Sequence, residues 1–165
     1  MNGRIERRVA VTDAGRVVMS DVLVGTYFTT TIDGRAQLCL KSEGGEVLVL
    51  SDDPPHLFRP GPDEAPVTTI LKPRFRPQPD GIEDRARKPR PGDMALWASP
   101  QSPSDMVLCV ANEDTPSEIF IDMETGTRRA PPVAQGAVLS VWSKWEAIDQ
   151  NQDIVSRYPP RRWTE

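Results

Sequence analysis

The sequence predicts a mostly β protein: two small, diverged β-meander or barrel-like units joined by a Pro/Arg-rich linker, with a short helix near the C-terminus. Three observations carry this expectation. Apolar residues alternate or fall in short β-branched runs, and no stretch before residue 143 sustains a helical period. Proline contributes 17 of the 165 residues, about twice its usual share, which favours short strands and extended connections over long helices. Finally, two strand-rich regions resemble one another across a proline-rich, charged segment.

The elements follow in order. RRVAV and RVVMS, separated by TDAG, read as an N-terminal hairpin turned by Asp13, Ala14 and Gly15. AQLCLK, the turn EGG and EVLVLS read as a second, because Gly44 and Gly45 tolerate the positive φ of a tight turn. DMALWAS, MVLCVA, EIFIDM and AVLSVWSKW are further strands, separated by PQSP, NEDTP and METGTRRAPP. KPRFRPQPDGIEDRARKPRP resists compact packing and reads as linker. The division is residues 1–76 for the hairpin and first unit, 77–90 for the linker, and 91–165 for the second unit with its helix or tail. In SKWEAIDQNQDIVSRY, Trp145, Ile148, Ile154 and Val155 fall roughly on one helical face, and Pro159 and Pro160 stop any continuation.

Alignment of the halves pairs Gly25 with Gly92, Leu38-Cys39-Leu40 with Leu108-Cys109-Val110, Glu46 with Glu118, and Phe75 with Trp145. Order and spacing agree with a repeated supersecondary unit of roughly 50 residues, each a meander of about four strands.

A net charge of −4 opposes global attraction to nucleic acid or anionic lipid. No apolar run approaches the roughly 20 residues of a membrane-spanning helix, so the expected setting is cytoplasmic or virion, without a membrane. Cys39 and Cys109 are too few for a disulfide scaffold and too far apart for a zinc or redox pair, and read as small apolar strand residues.

No constellation points to catalysis, and no cofactor or metal is expected. His56 is the single histidine. Asp52, Asp53, Asp63 and Glu64 surround it in sequence, yet the spacing matches no ligand pattern. Ser20, Ser42 and Ser51 lack a nucleophile-elbow context, and the glycines form no phosphate loop. Two patterns suggest contact instead. Trp97, Trp142, Trp145 and Trp163 exceed the bulk that small sheets need; Trp142 and Trp145, three apart, would face opposite sides of one strand and leave one outward as a protein-binding anchor. Lys72, Arg74, Arg76, Arg85, Arg87, Lys88 and Arg90 outnumber Asp80, Glu83 and Asp84, and offer contacts to phosphates or to an acidic partner. Phe75 alone interleaves them, which gives base stacking little support.

The order of glycine, aromatic, apolar strands and then IDMETG, carried by Gly92, Asp93, Met94 and Ile121 to Gly126, resembles small β-barrel accessory or virion proteins of bacteriophages. The first half shares Gly25, Tyr27 and Phe28 but has SDDPP where the second has the Asp-x-Glu-Thr-Gly turn. The resemblance implies a phage structural protein of capsid, tail or decoration type, without a defined ligand. The functional expectation is thus a non-enzymatic protein-binding or assembly module with a protein partner or self-assembly. The alternatives are a small-barrel nucleic-acid-associated protein or a phage-encoded inhibitor of a host protein or small ligand.

Overall fold

The computed structural model describes residues 11–12, 16–32, 34–60, 66–84, 89–97, 105–111, 119–130 and 138–160. The alternating and β-branched runs become strands, and no helix of seven residues or more occurs among the described residues. β1 (Val11–Thr12) and β2 (Arg16–Val18) pair antiparallel as the expected N-terminal hairpin. β3 (Tyr27–Ile32), β4 (Arg35–Lys41), β5 (Val47–Val49) and β6 (His56–Phe58) then form an antiparallel meander. Gly44 and Gly45, at φ 71° and 76°, make the β4–β5 turn as expected.

β7 (Pro66–Val67) adds to the N-terminal hairpin, and β8 (Thr69–Leu71) returns to the free side of β3. β9 (Arg74–Pro77) leaves for another sheet.

The second half follows. β10 (Ile82–Asp84), β11 (Met94–Trp97), β12 (Asp105–Val110), β13 (Ile119–Asp122), β14 (Arg128–Arg129) and β15 (Val138–Trp142) form a six-stranded sheet ordered β10-β15-β11-β12-β13-β14. The first large sheet runs β6-β5-β4-β3-β8. The shared order is a four-strand meander whose first strand also receives a later strand on its open edge.

Hydrogen bonds fix the correspondence of the two sheets. Gly25 donates to the Lys41 carbonyl and Lys41 to the Thr26 carbonyl, both at 2.9 Å. In the second half Gly92 donates to Cys109 at 2.8 Å and Cys109 to Asp93 at 2.9 Å. Gly25 therefore corresponds to Gly92, as the sequence suggests. Leu38-Cys39-Leu40 corresponds to Met106-Val107-Leu108, two residues from the pairing expected, so Lys41 rather than Cys39 stands where Cys109 does. A slip of two keeps every side chain on its face, and alternation alone cannot detect it. Glu118 lies outside the described residues.

β16 (Trp145–Ile148) joins the halves. It pairs with β9 on one side and β17 (Ile154–Tyr158) on the other. Along the β9–β16 ladder Trp145 lies opposite Pro77, Glu146 opposite Arg76, and Ala147 opposite Phe75. A quasi-twofold axis through the Arg76–Glu146 pair would exchange Phe75 with Trp145, the correspondence read from sequence.

This geometry produces one shared core. Leu38, Leu40, Leu48 and Leu50 of the first sheet pack with Met94, Leu108, Val110, Ile121, Trp142 and Trp145 of the second half. Phe75 packs edge-on to Trp145 at 5.7 Å between centroids, and Tyr158 stacks on its other side at 5.5 Å. The outer face of the first sheet is also apolar, because Met19 and Val22 lie over Phe28, Cys39, Val47 and Val49. Burial on both faces is why strands such as AQLCLK read as nearly continuous apolar runs.

Two expectations need correction. The C-terminal stretch is the β16–β17 hairpin, not a helix. All four residues of β16 are buried, whereas a helix would turn half of them to solvent, and Asp149 diverts the backbone by accepting from Asn151 and Asp153 at 2.8 and 2.9 Å. The described part of the 77–90 segment is not free linker either: Pro77 ends β9, and β10 forms the edge of the second sheet.

Candidate functional site

The outer face of the first sheet is not evenly covered. Met19 and Val22 fill the end near Lys41, whose ammonium donates to the Met19 carbonyl at 3.0 Å. Burial lowers the Lys41 pKa, and Asp21 opposes the shift. Toward the opposite end, where β4 begins, Ile32, Val49 and Phe58 wall a cavity of about 260 Å³ whose rim carries Arg35, Gln37, Asp52 and His56.

Strand parity accounts for the walls. Gln37, Cys39 and Lys41 share one face of β4, and Thr30 lies opposite Gln37 on β3. Gln37 therefore lies on the same face as Cys39, between buried Thr30 and the apolar Val49. It is 94% buried (6% exposed), and its Oε1 has no hydrogen-bond partner. An unsatisfied buried acceptor costs about 1–3 kcal/mol, and few native groups carry that cost.

Asp52 and His56 come together across the β5–β6 turn, with Oδ2 and Nδ1 3.6 Å apart. Arg35 is exposed and makes no ion pair among the described residues.

A second, more open cavity of about 470 Å³ adjoins the first through Arg35 and Gln37 and is lined further by Ala36, Ser51, Ile154, Ser156 and Arg157. Ser51 ties its floor together: its Oγ accepts from the Leu38 amide at 2.7 Å and lies 3.2 Å from Ser156 Oγ. The two cavities share Arg35 and Gln37 in their linings, at the start of β4.

The corresponding place in the second half is chemically different. The registers match Val49 with Asp122 and Phe58 with Arg129. Asp122 and Arg129 form an ion pair at 2.8 Å, whereas Val49 and Phe58 are the apolar walls of the cavity.

The residues expected from sequence fall elsewhere. Trp142 and Trp145 are both buried, which corrects the expectation that one faces outward as a protein-binding anchor. β15 ends at Trp142, and Ser143 and Lys144 carry the chain into a different sheet, so the rule of opposite faces does not connect the two rings. Trp145 gives its indole N–H to the Gly92 carbonyl at 2.9 Å. Trp97 ends β11, and Trp163 lies outside the described residues.

Of the basic set, Arg76 is held by the buried carboxylate of Glu146, and Arg74 donates to Gln152 at 2.9 Å. Lys72 is exposed, with its backbone N–H on Gln150. The Arg90 backbone N–H donates to Asp93 at 2.7 Å. Arg85, Arg87 and Lys88 lie outside the described residues, as do Asp63 and Glu64.

Among the described residues no three His, Cys, Asp or Glu side chains group to hold a metal ion. Asp53 turns from His56 to accept from the Tyr158 hydroxyl at 3.1 Å. IDMETG is a structural turn: Asp122 Oδ1 accepts from Glu124 and Thr125, and Gly126 lies against the Lys41 carbonyl of the other half.

Sequence reasoning missed Gln37 and Arg35. The available signal was an amide within an apolar strand, but alternation cannot reveal that both faces of AQLCLK are buried. No family model, curated protein or solved structure matches the chain, and among the described residues no helix is long and apolar enough to cross a membrane.

Proposed function

We propose that the chain is a non-enzymatic protein-binding module serving assembly, and that it recognises its partner at the two cavities beside Arg35. The observation that carries this reading is Arg35, exposed, lining both cavities and without an ion pair among the described residues. An extended polypeptide suits neighbouring cavities, because its side chains recur along its length. Arg35 at the rim favours an acidic or carboxylate-bearing partner, whereas Arg157 already faces the Glu146 carboxylate at 3.7 Å. A bacteriophage capsid, tail or decoration role, in the cytoplasm or virion, rests on the IDMETG resemblance.

Random-peptide display on the full chain tests the reading, with wild type and Ala36→Trp side by side. Ala36 is an exposed residue lining the larger cavity, so the indole fills that cavity without entering the core. The expected result is a peptide set enriched by wild type and lost by Ala36→Trp at unchanged thermal stability. Peptides retained equally by both proteins place binding elsewhere and overturn the proposal.

A further inference from the structure

We infer that β17 is a docking edge, and that an extended segment of a partner polypeptide adds to it as a further strand, with an acidic side chain of that segment on Arg35. This rests on the reading above and goes further, to the strand that receives the partner and the backbone groups that hold it.

The two edges of one sheet differ, and this is the first argument. β17 and β9 are the outer strands on either side of β16. An outer strand turns only alternate N–H and C=O groups to its one neighbour, and proteins ordinarily guard the rest with proline or charge. β9 is guarded in this way, with Pro77 in the strand and Arg74 and Arg76 exposed. β17 contains neither proline nor lysine, and its Ile154 is 41% exposed. Arg157, its one charged residue, reaches back to Glu146 of β16 at 3.7 Å.

The space beside β17 follows that edge. Ile154, Val155, Ser156 and Arg157 all line the cavity of about 470 Å³. Successive strand residues point to opposite faces, so a cavity against one face would meet alternate residues; contact with four in a row places it along the edge. Arg35 and Ala36 line the same cavity from the start of β4, which puts the guanidinium within the space beside β17. Addition of a strand to an exposed edge draws its affinity from main-chain hydrogen bonds and its selectivity from side-chain contacts such as this one.

Charge identifies the occupant. Arg35 is exposed and without an ion pair among the described residues, and Glu146 already serves both Arg76 and Arg157. A second copy of the chain would offer its own β17, Ile-Val-Ser-Arg-Tyr, which contains no acid and adds a cation. A strand from a different protein, carrying aspartate or glutamate, supplies the carboxylate that the two parallel N–H donors of a guanidinium match.

The test is a titration of the full chain with an acetylated, amidated hexapeptide of alternating valine and glutamate, followed by amide NMR and hydrogen exchange. Two further versions carry backbone N-methyl groups, one on the valines and one on the glutamates. Expected are slowed exchange at alternate amides of β17, and affinity lost by one N-methylated version and kept by the other, because a strand turns alternate N–H groups to its neighbour. Arg35→Glu is expected to weaken the hexapeptide roughly tenfold or more, as loss of a charge-assisted hydrogen bond implies, and a version with lysine for glutamate to restore binding to that variant. Equal effects of the two N-methyl patterns, or no binding up to the solubility limit of the hexapeptide, overturn the inference. Light scattering of the protein alone gives the other check: self-association that the hexapeptide reverses would assign the edge to a second copy and overturn the partner.

If peptides are blocked by Ala36→Trp yet leave exchange in β17 unchanged, this inference fails while the reading above stands. If no peptide binding responds to Ala36→Trp, both fail. Arg35 is exposed, so Arg35→Glu is expected to fold normally, and the N-methylated peptides probe the edge with the protein unaltered.

Discussion

At the scale of single residues, Gln37 carries a cost in stability. Methionine fills nearly the same volume without a polar atom, so Gln37→Met removes a buried acceptor that has no partner. Unfolding monitored by circular dichroism is expected to show the variant more stable by about 1–3 kcal/mol; an unchanged or lowered midpoint would mean that Oε1 is satisfied in solution. Cys39 supplies a pH dependence. Burial pushes its thiol from 9.0 up to about 12. The folded state therefore keeps a proton that the unfolded chain has released, and stability falls as pH rises from about 9 to about 12. Burial also raises the Tyr27 pKa, with help from the charge of Asp122, which adds to the alkaline loss. Replacing Cys39 with alanine is expected to flatten the dependence from pH 9 upward at some cost in packing; denaturant midpoints measured across that window check it. Residue identities were partly legible in sequence: both cysteines read correctly as buried strand residues. The roles of Trp145 and Gln37 did not, because burial depends on which sheet covers which face, and no local pattern encodes that.

At the scale of elements, the strands announced themselves through alternation, but their partners did not. WEAI carries a spacing compatible with a helix, and the decision came from β9, which lies about 70 residues earlier and supplies the hydrogen bonds along one side. The segment expected to be linker was misread for the same reason, since proline and charge are tolerated on edge strands such as β9 and β10. Turn glycines were the most legible feature, and two of them separate local strain from contact between halves. Gly44 and Gly126 both have positive φ, 71° and 77°. A Cβ on Gly44 would meet nothing within 4 Å, whereas one on Gly126 would lie 2.5 Å from the Lys41 carbonyl oxygen. Gly44→Ala is expected to cost about 1–2 kcal/mol from backbone conformation alone, and Gly126→Ala clearly more, because rigid backbone must also move. Equal thermal shifts for the two variants would show that the β13–β14 turn is not held against β4.

For the whole molecule, the quasi-twofold arrangement implies that neither half is a folding unit by itself. The inner face of each large sheet finds its cover in the other: Leu40 and Leu48 belong to the same cluster as Leu108 and Ile121, and Trp145 lies between Phe75 of the first half and Tyr158. Polar contacts cross as well. The Tyr27 hydroxyl donates to the Met123 carbonyl, Ser42 to the Gly126 carbonyl at 2.7 Å, and Arg128 to Glu46 at 2.5 Å. A separated half would expose the apolar face of a small sheet, and net stability of about 5–15 kcal/mol for a whole domain leaves no margin for that loss. Fragments 1–88 and 89–165, prepared separately, are therefore expected to lack cooperative thermal unfolding. Mixed in equal amounts, they should recover a single transition together with the blue-shifted fluorescence of buried tryptophan. Cleavage between residues 84 and 89 leaves both ladders of β16 intact, so failure of the mixed fragments to refold would locate an essential connection there. A half that melts cooperatively alone, at the midpoint of the intact chain, would refute the shared core. The full chain carries the same expectation in another form: circular dichroism and tryptophan fluorescence should report one coincident transition, because no boundary in this core divides the leucines of β4 from those of β12.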